Sequence, residues 1–303
     1  MAVLYCSLDL IYPPISNQEG VWLWEDEEVR EYVKRSKLYM LVHRKELKFF
    51  DIDIEAMIKG VFKFKIRMGN FKSGFFSYQF TDNVAMLIEE NGSLLYESGD
   101  KFFRIIREED EEVLYWATPD KILYDAIMLN IKLEAENIRD IETLQVFELL
   151  YVGISKKNDS FNRLFNKPHH GRLNILSNEY TKEKGARMTD ELTVLLFEIK
   201  WFNINSITED FIYTDDEEAI IADAEKAFVS MLDTKYNEIK FKNYPKGGDG
   251  LYDKGLQGYI YGINYDIKLV TKAGEFIGKY GRCFERDCIY VQGDDVEILK
   301  VDN

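Results

Sequence analysis

The chain has 303 residues, 46% of them hydrophobic and 31% charged, the balance of an ordinary globular protein. Its formal charge of −15 excludes a protein that coats nucleic acid with its whole surface, because duplex affinity rests on neutralising phosphates with Lys and Arg; a local basic groove is compatible with that sum. Cys6, Cys283 and Cys288 lack zinc-site spacing, Asp9 interrupts the first apolar run, and no stretch approaches the ~18 apolar residues of a membrane span, so a cytoplasmic protein with reduced thiols and no membrane partner is expected.

The length fits two domains, and 20 Phe with 19 Tyr favour substantial β structure. Val29, Tyr32 and Val33 recur at helical spacing within Asp26–Lys37. Alternation then predicts strands over Phe50–Glu55 and Phe62–Met68, and a hairpin joins Ser93–Tyr96 to Phe102–Ile106 through Ser98-Gly99-Asp100. Asp51, Asp53 and Glu55 against Lys63, Lys65 and Arg67 predict cross-strand ion pairs rather than a metal site. Thr118-Pro119-Asp120 is an N-cap followed by Pro at the first helical position, opening a helix to about Leu129. Ile131, Leu133 and Ala135 alternate with polar residues, and Gln145–Ile154 is a more apolar strand; the two are expected to pair as an antiparallel hairpin.

Short helices are expected over Phe161–Phe165 and Arg172–Tyr180, and a central strand over Glu191–Phe202. Thr214 and Glu217 read as a capping box for a helix to about Leu232, with Ile221, Ala224, Phe228 and Met231 buried and Glu225 at the edge of that stripe. Gly247-Gly248-Asp249-Gly250 lacks the Lys-Ser/Thr ending of a phosphate-binding loop and reads as a connection. Strands over Tyr259–Val270, Gly274–Lys279 and Cys288–Leu299 either form their own sheet or return to the N-terminal part.

Chemistry concentrates in the second half. Tyr151-Val152-Gly153 ends an apolar strand, Arg163-Leu164 lies on a helix, His169-His170 follows Pro168, and Glu225 precedes Tyr236-Asn237. From Lys156 to Arg187 there are eight Lys or Arg against three acids, a net of +5 around Arg163. Taken singly, each has a plain reading: a core tyrosine, a surface cation, an exposed turn, a solvated carboxylate, and an Asn capping a helix end.

Taken in order, Tyr151-Val152-Gly153, Arg163-Leu164, Ala224-Glu225-Lys226-Ala227-Phe228 and Lys235-Tyr236-Asn237 with Phe241 and Tyr244-Pro245 resemble the GIY-YIG nuclease domain, over about Asn130 to Pro245. The resemblance implies an α+β fold. A β-rich N-terminal domain (1–118) would precede a three-stranded antiparallel sheet flanked by helices (119–245), and a C-terminal β segment (246–303) would follow. It implies metal-dependent endonucleolytic hydrolysis of phosphodiesters, in DNA rather than RNA. Glu225 would hold Mg²⁺ or Mn²⁺, which takes one or two carboxylates plus water and substrate oxygens. Arg163 would bind the phosphate, and Tyr151 with His169 or His170 would handle the water and proton. Asn237 would hold Glu225 or the local backbone.

The family's first motif is absent from the expected partner strand, Asn130–Ile138, which contains no tyrosine. Tyr124 and Tyr115 are the nearest upstream. That gap keeps open a catalytically inactive nuclease-like fold acting as a protein-binding or regulatory module, as in phage–host conflict, with the N-terminal domain contacting a protein partner.

Overall fold

The computed structural model describes residues 3–58, 61–80, 82–90, 93–204 and 216–301. It is an α+β protein forming two compact units: Met1–Arg44 together with Val146–Asn303, and the intervening Lys45–Gln145. The chain therefore does not divide near residues 118 and 245. The N-terminal strands expected to stand alone are split between the two units.

The larger unit is built on a ten-stranded sheet. Its order is Gly274–Gly278, Ile267–Thr271, Val146–Ile154, Leu38–His43, Leu192–Ile204, Val3–Leu10, Gly258–Asn264, Cys288–Gln292 and Asp295–Leu299, with Ile15–Ser16 added to Leu192–Ile204. Leu38–His43 is antiparallel to both of its neighbours. All six of its residues are buried, as expected of a strand covered on both faces. Gly258–Asn264 and Ile267–Thr271 are almost consecutive, yet one pairs in parallel with Val3–Leu10 and the other in parallel with Val146–Ile154. One turn thus joins strands from the two flanks, and the sheet must curl to allow it. The C-terminal strands join this sheet rather than forming a separate one.

The helix Glu217–Leu232 is capped by Asp216, whose carboxylate accepts from Ala219 N at 3.0 Å; the expected cap, Thr214, lies outside the described residues. Burial runs almost all round this helix from Ala219 to Val229, beyond the single stripe expected. Helices Ser160–Phe165 and His170–Asn178 lie close to their expected positions. A helix over Asn17–Leu23, with a Ser16–Glu19 capping box, was not anticipated.

In Lys45–Gln145 the Thr118 cap holds, its hydroxyl accepting from Lys121 N at 3.2 Å, and Gly99 N–H closes the expected hairpin onto Phe102 O at 2.9 Å. Leu133–Ala135 does not pair with the Tyr151 strand; it is antiparallel to Phe76–Gln79 and closes this unit's own core around Phe49, Phe62 and Phe64. Lys65 pairs with Asp51 at 2.6 Å, whereas Glu55 falls on the helix Ile54–Ile58, so among the described residues the expected three-by-three charge ladder reduces to one bridge. No helix among the described residues is long and apolar enough to cross a membrane.

Candidate active site

The strand that carries Tyr151 pairs with the strand that carries Tyr39. Gly153 lies opposite Tyr39 in the register, and the two tyrosine rings stack with centroids 6.1 Å apart and planes 21° apart. Glycine is required here: a Cβ at Gly153 would stand 2.5 Å from Tyr39 Cζ and 2.7 Å from Tyr151 Cε1. Gly171 does the same on the other side of the Tyr151 ring, where a Cβ would come within 2.9 Å of Cε2.

His169 is fixed by its own helix. Its Nδ1 accepts the backbone N–H of Arg172 at 3.0 Å, as an N-cap normally does with a hydroxyl or carboxylate. Because a backbone N–H can only donate, Nδ1 carries no proton; the proton is on Nε2, which donates to Tyr39 Oη at 2.7 Å. Burial, with the nearby Arg163 and Arg172 charges, pushes His169 down to about 4, so the imidazole is neutral over the physiological range. Arg163 Nε donates to the same Tyr39 oxygen at 3.3 Å, from the helix Ser160–Phe165 whose Asp159 cap accepts from Asn162 N at 2.7 Å. With two donors aimed at its oxygen, Tyr39 must turn its own O–H away from both. Burial raises the Tyr39 and Tyr151 hydroxyls above their ordinary values, and the Glu225 charge raises both further.

Glu225 lines the cleft of about 1050 Å³ that also exposes Tyr151, Arg163 and His169. Two anchors hold its helix. Two residues before it, the buried Asp223 carboxylate accepts from Tyr244 Oη at 2.7 Å, Tyr261 Oη at 3.0 Å and Leu251 N at 2.7 Å. Beyond the helix end, where Asp233 adopts a left-handed conformation, Tyr236 N–H reaches Leu150 O and Asn237 clasps Val152. The Asn237 amide accepts from Val152 N at 3.0 Å and donates to Val152 O at 2.7 Å, acting as a fragment of neighbouring strand against the Tyr151 strand. Asn237 therefore positions the backbone, one of its two expected roles. Asn237→Ala would leave Val152 N–H, Val152 C=O and Thr234 Oγ1 without these partners, and should lower unfolding free energy by about 2–3 kcal/mol in urea titrations. A loss below ~0.5 kcal/mol would contradict this role.

Glu225 makes no hydrogen bond or ion pair among the described residues. Burial raises its carboxyl to about 7, against the opposing pull of Arg163, Lys156 and Lys226. His170 stays outside the hydroxyl cluster: its exposed ring pairs with Glu238 at 3.3 Å on the cleft rim. Lys156, Lys157 and Lys167 make that rim basic. Tyr39 is the residue that sequence reasoning missed. Its signal was the uncharged run Leu38–Val42 directly after the charged helix, where a buried strand could have been read.

Among the described residues no three His, Cys, Asp or Glu side chains are grouped to hold a metal; the carboxylates lining the cleft are Glu225 and, on its rim, Glu238, which pairs with His170. The donor set fits a hard, largely hydrated divalent ion, and an unpartnered, partly desolvated carboxylate facing a cleft gains from such a charge. Comparison with protein-family models, curated proteins and solved structures gave no match.

Proposed function

We propose that this chain is a metal-dependent phosphodiesterase of the GIY-YIG type, an endonuclease acting on DNA, whose first motif is Leu38-Tyr39. The observation that carries the reading is convergence: Tyr151, Arg163, His169 and Glu225 line one cleft, and Tyr39, fully buried behind it, holds His169 and Arg163 through its hydroxyl oxygen. The antiparallel trio Val146–Ile154, Leu38–His43 and Leu192–Ile204, with the Glu225 helix against it, supports the nuclease-like core. Finding a tyrosine opposite Gly153 favours a working site over the inactive module.

In this reading Glu225 holds Mg²⁺ or Mn²⁺, which when bound neutralises charge on the scissile phosphate. Arg163 binds a phosphate oxygen and stabilises the charge developing there. Tyr151, held between two glycines and lining the cleft, orients the attacking water, and the buried Tyr39 holds Arg163 and His169 in place behind it. The neutral His169 keeps Tyr39 oriented, its Nδ1 committed to the backbone. Lysines on the rim attract the polyanion.

The pH profile follows from Glu225. Its carboxyl must ionise to hold the cation, so kcat/KM at subsaturating Mg²⁺ should rise with pH and level off above about 7, the acid limb moving down as Mg²⁺ increases. His169, titrating near 4, should add no inflection between pH 5 and 8. A profile flat from pH 5 to 8, or a limb independent of Mg²⁺, would remove Glu225 from this role.

A further inference from the structure

The unit Lys45–Gln145 carries a face that the nuclease reading leaves unused. In the antiparallel strands Leu47–Asp53, Val61–Met68, Phe71–Lys72 and Phe76–Gln79, Phe49, Phe62, Phe64, Ile66, Phe76 and Tyr78 point into the core. Alternation puts Phe50, Lys63, Lys65 and Arg67 on the opposite face, and register places Lys72 beside Arg67. Phe75, immediately before the last strand, joins them. Val61 to Phe80 contains four Lys or Arg and no Asp or Glu, in a chain of net −15.

Cations and rings interleave on this face. Lys63 Nζ lies 4.7 Å and Lys65 Nζ 4.2 Å from the Phe75 ring centroid, and Lys72 Nζ lies 5.8 Å from that of Phe50. Neither ring belongs to the buried core around Phe49 and Phe62. The nearby acids are engaged: Asp51 pairs with Lys65 at 2.6 Å, Asp53, opposite Lys63 in the register, accepts from Ala56 N at 3.0 Å, Glu136 accepts from Phe75 N at 2.9 Å, and Glu134 pairs with Lys132 at 2.7 Å. Lys63, Arg67 and Lys72 make no ion pair among the described residues.

We infer that this face is a platform for single-stranded nucleic acid. Cations spaced two residues apart along a strand, about 7 Å, track a phosphate backbone, and half-exposed rings offer π-faces to unstacked bases. A purely electrostatic duplex groove would not need the rings, and cations interleaved with aromatic rings suit bases that are already splayed. The inference does not rest on cleavage.

The test is fluorescence anisotropy of the full chain with labelled oligothymidylate in EDTA, titrated over salt. Lys63→Ala/Arg67→Ala/Lys72→Ala should bind about tenfold or more weakly and flatten the log–log salt dependence by about 2, since each single-strand phosphate contact contributes about 0.7. Phe50→Ala/Phe75→Ala should bind about fivefold or more weakly with the salt slope unchanged. The charge-keeping Lys63→Arg/Arg67→Lys/Lys72→Arg should bind as wild type, which keeps the test valid where the alanine variant folds poorly. Unchanged affinity and slope in the alanine variant would overturn the inference. So would a duplex bound as tightly as the single strand, or binding to phosphatidylserine vesicles in place of oligonucleotide. Platform binding without cleavage under any metal would defeat the nuclease reading alone.

Discussion

Glu225→Gln is expected to eliminate metal-dependent cleavage while leaving the protein at least as stable as wild type. The half-buried carboxylate faces the cleft without a hydrogen bond among the described residues, and partial burial raises its pKa from 4.5 to about 7. A folded-state pKa above the unfolded one means that the fold gains from the protonated form. That contribution is complete below pH 4.5 and is lost as pH rises through about 7. The full shift corresponds to roughly 3 kcal/mol at most, so the neutral isostere should recover part of it at pH 8. Thermal melting should therefore show Glu225→Gln level with or above wild type at pH 8 and level with it at pH 4. Mg²⁺ or Mn²⁺ should raise the melting temperature of wild type only. A residue serving structure alone would show the opposite, destabilisation with activity retained.

Tyr39→Phe should lower the single-turnover cleavage rate by about 10²-fold, the order expected when a residue that positions the reacting groups is lost. The ring still stacks on Tyr151 and still fills the space left by Gly153, so packing survives. What disappears is the oxygen shared by His169 Nε2 and Arg163 Nε. His169 keeps its Nδ1 contact with Arg172 N–H, and because burial with the Arg163 and Arg172 charges lowers its pKa, its titration followed by NMR should stay near 4. Wild-type rates in this variant would remove Tyr39 from the site and return the first motif to being absent.

Much of the larger unit could be read from the chain. Tyr151, Arg163, His169 and Glu225 share a cleft, and the Tyr236-Asn237 turn is joined to the Tyr151 strand. Gly153 carried more information than its place in a tripeptide suggested, because its missing Cβ is where two tyrosines meet. What could not be read was which strand pairs with Tyr151. Pairing acts between neighbours in space, and between the Tyr39 strand and the Tyr151 strand the chain inserts Lys45–Gln145, a unit with its own core that takes up Leu133–Ala135. The helix expected to run to Lys37 stops at Val33, and the strand begins at Leu38 with no Gly or Pro between to mark the change. The curling of the sheet was equally hidden, since it depends on a parallel pairing on each side of one short turn.

The most direct measurement is cleavage of supercoiled plasmid and of single-stranded DNA and RNA by the purified chain, with Mg²⁺, Mn²⁺ or EDTA, beside Glu225→Gln and Tyr39→Phe. Nicking of DNA that requires the metal, vanishes with Glu225→Gln and falls about 10²-fold with Tyr39→Phe is the expected result. Cleavage that persists at the wild-type rate in Glu225→Gln, or no cleavage by any wild-type preparation with either metal, would contradict the assignment of this cleft as a nuclease site.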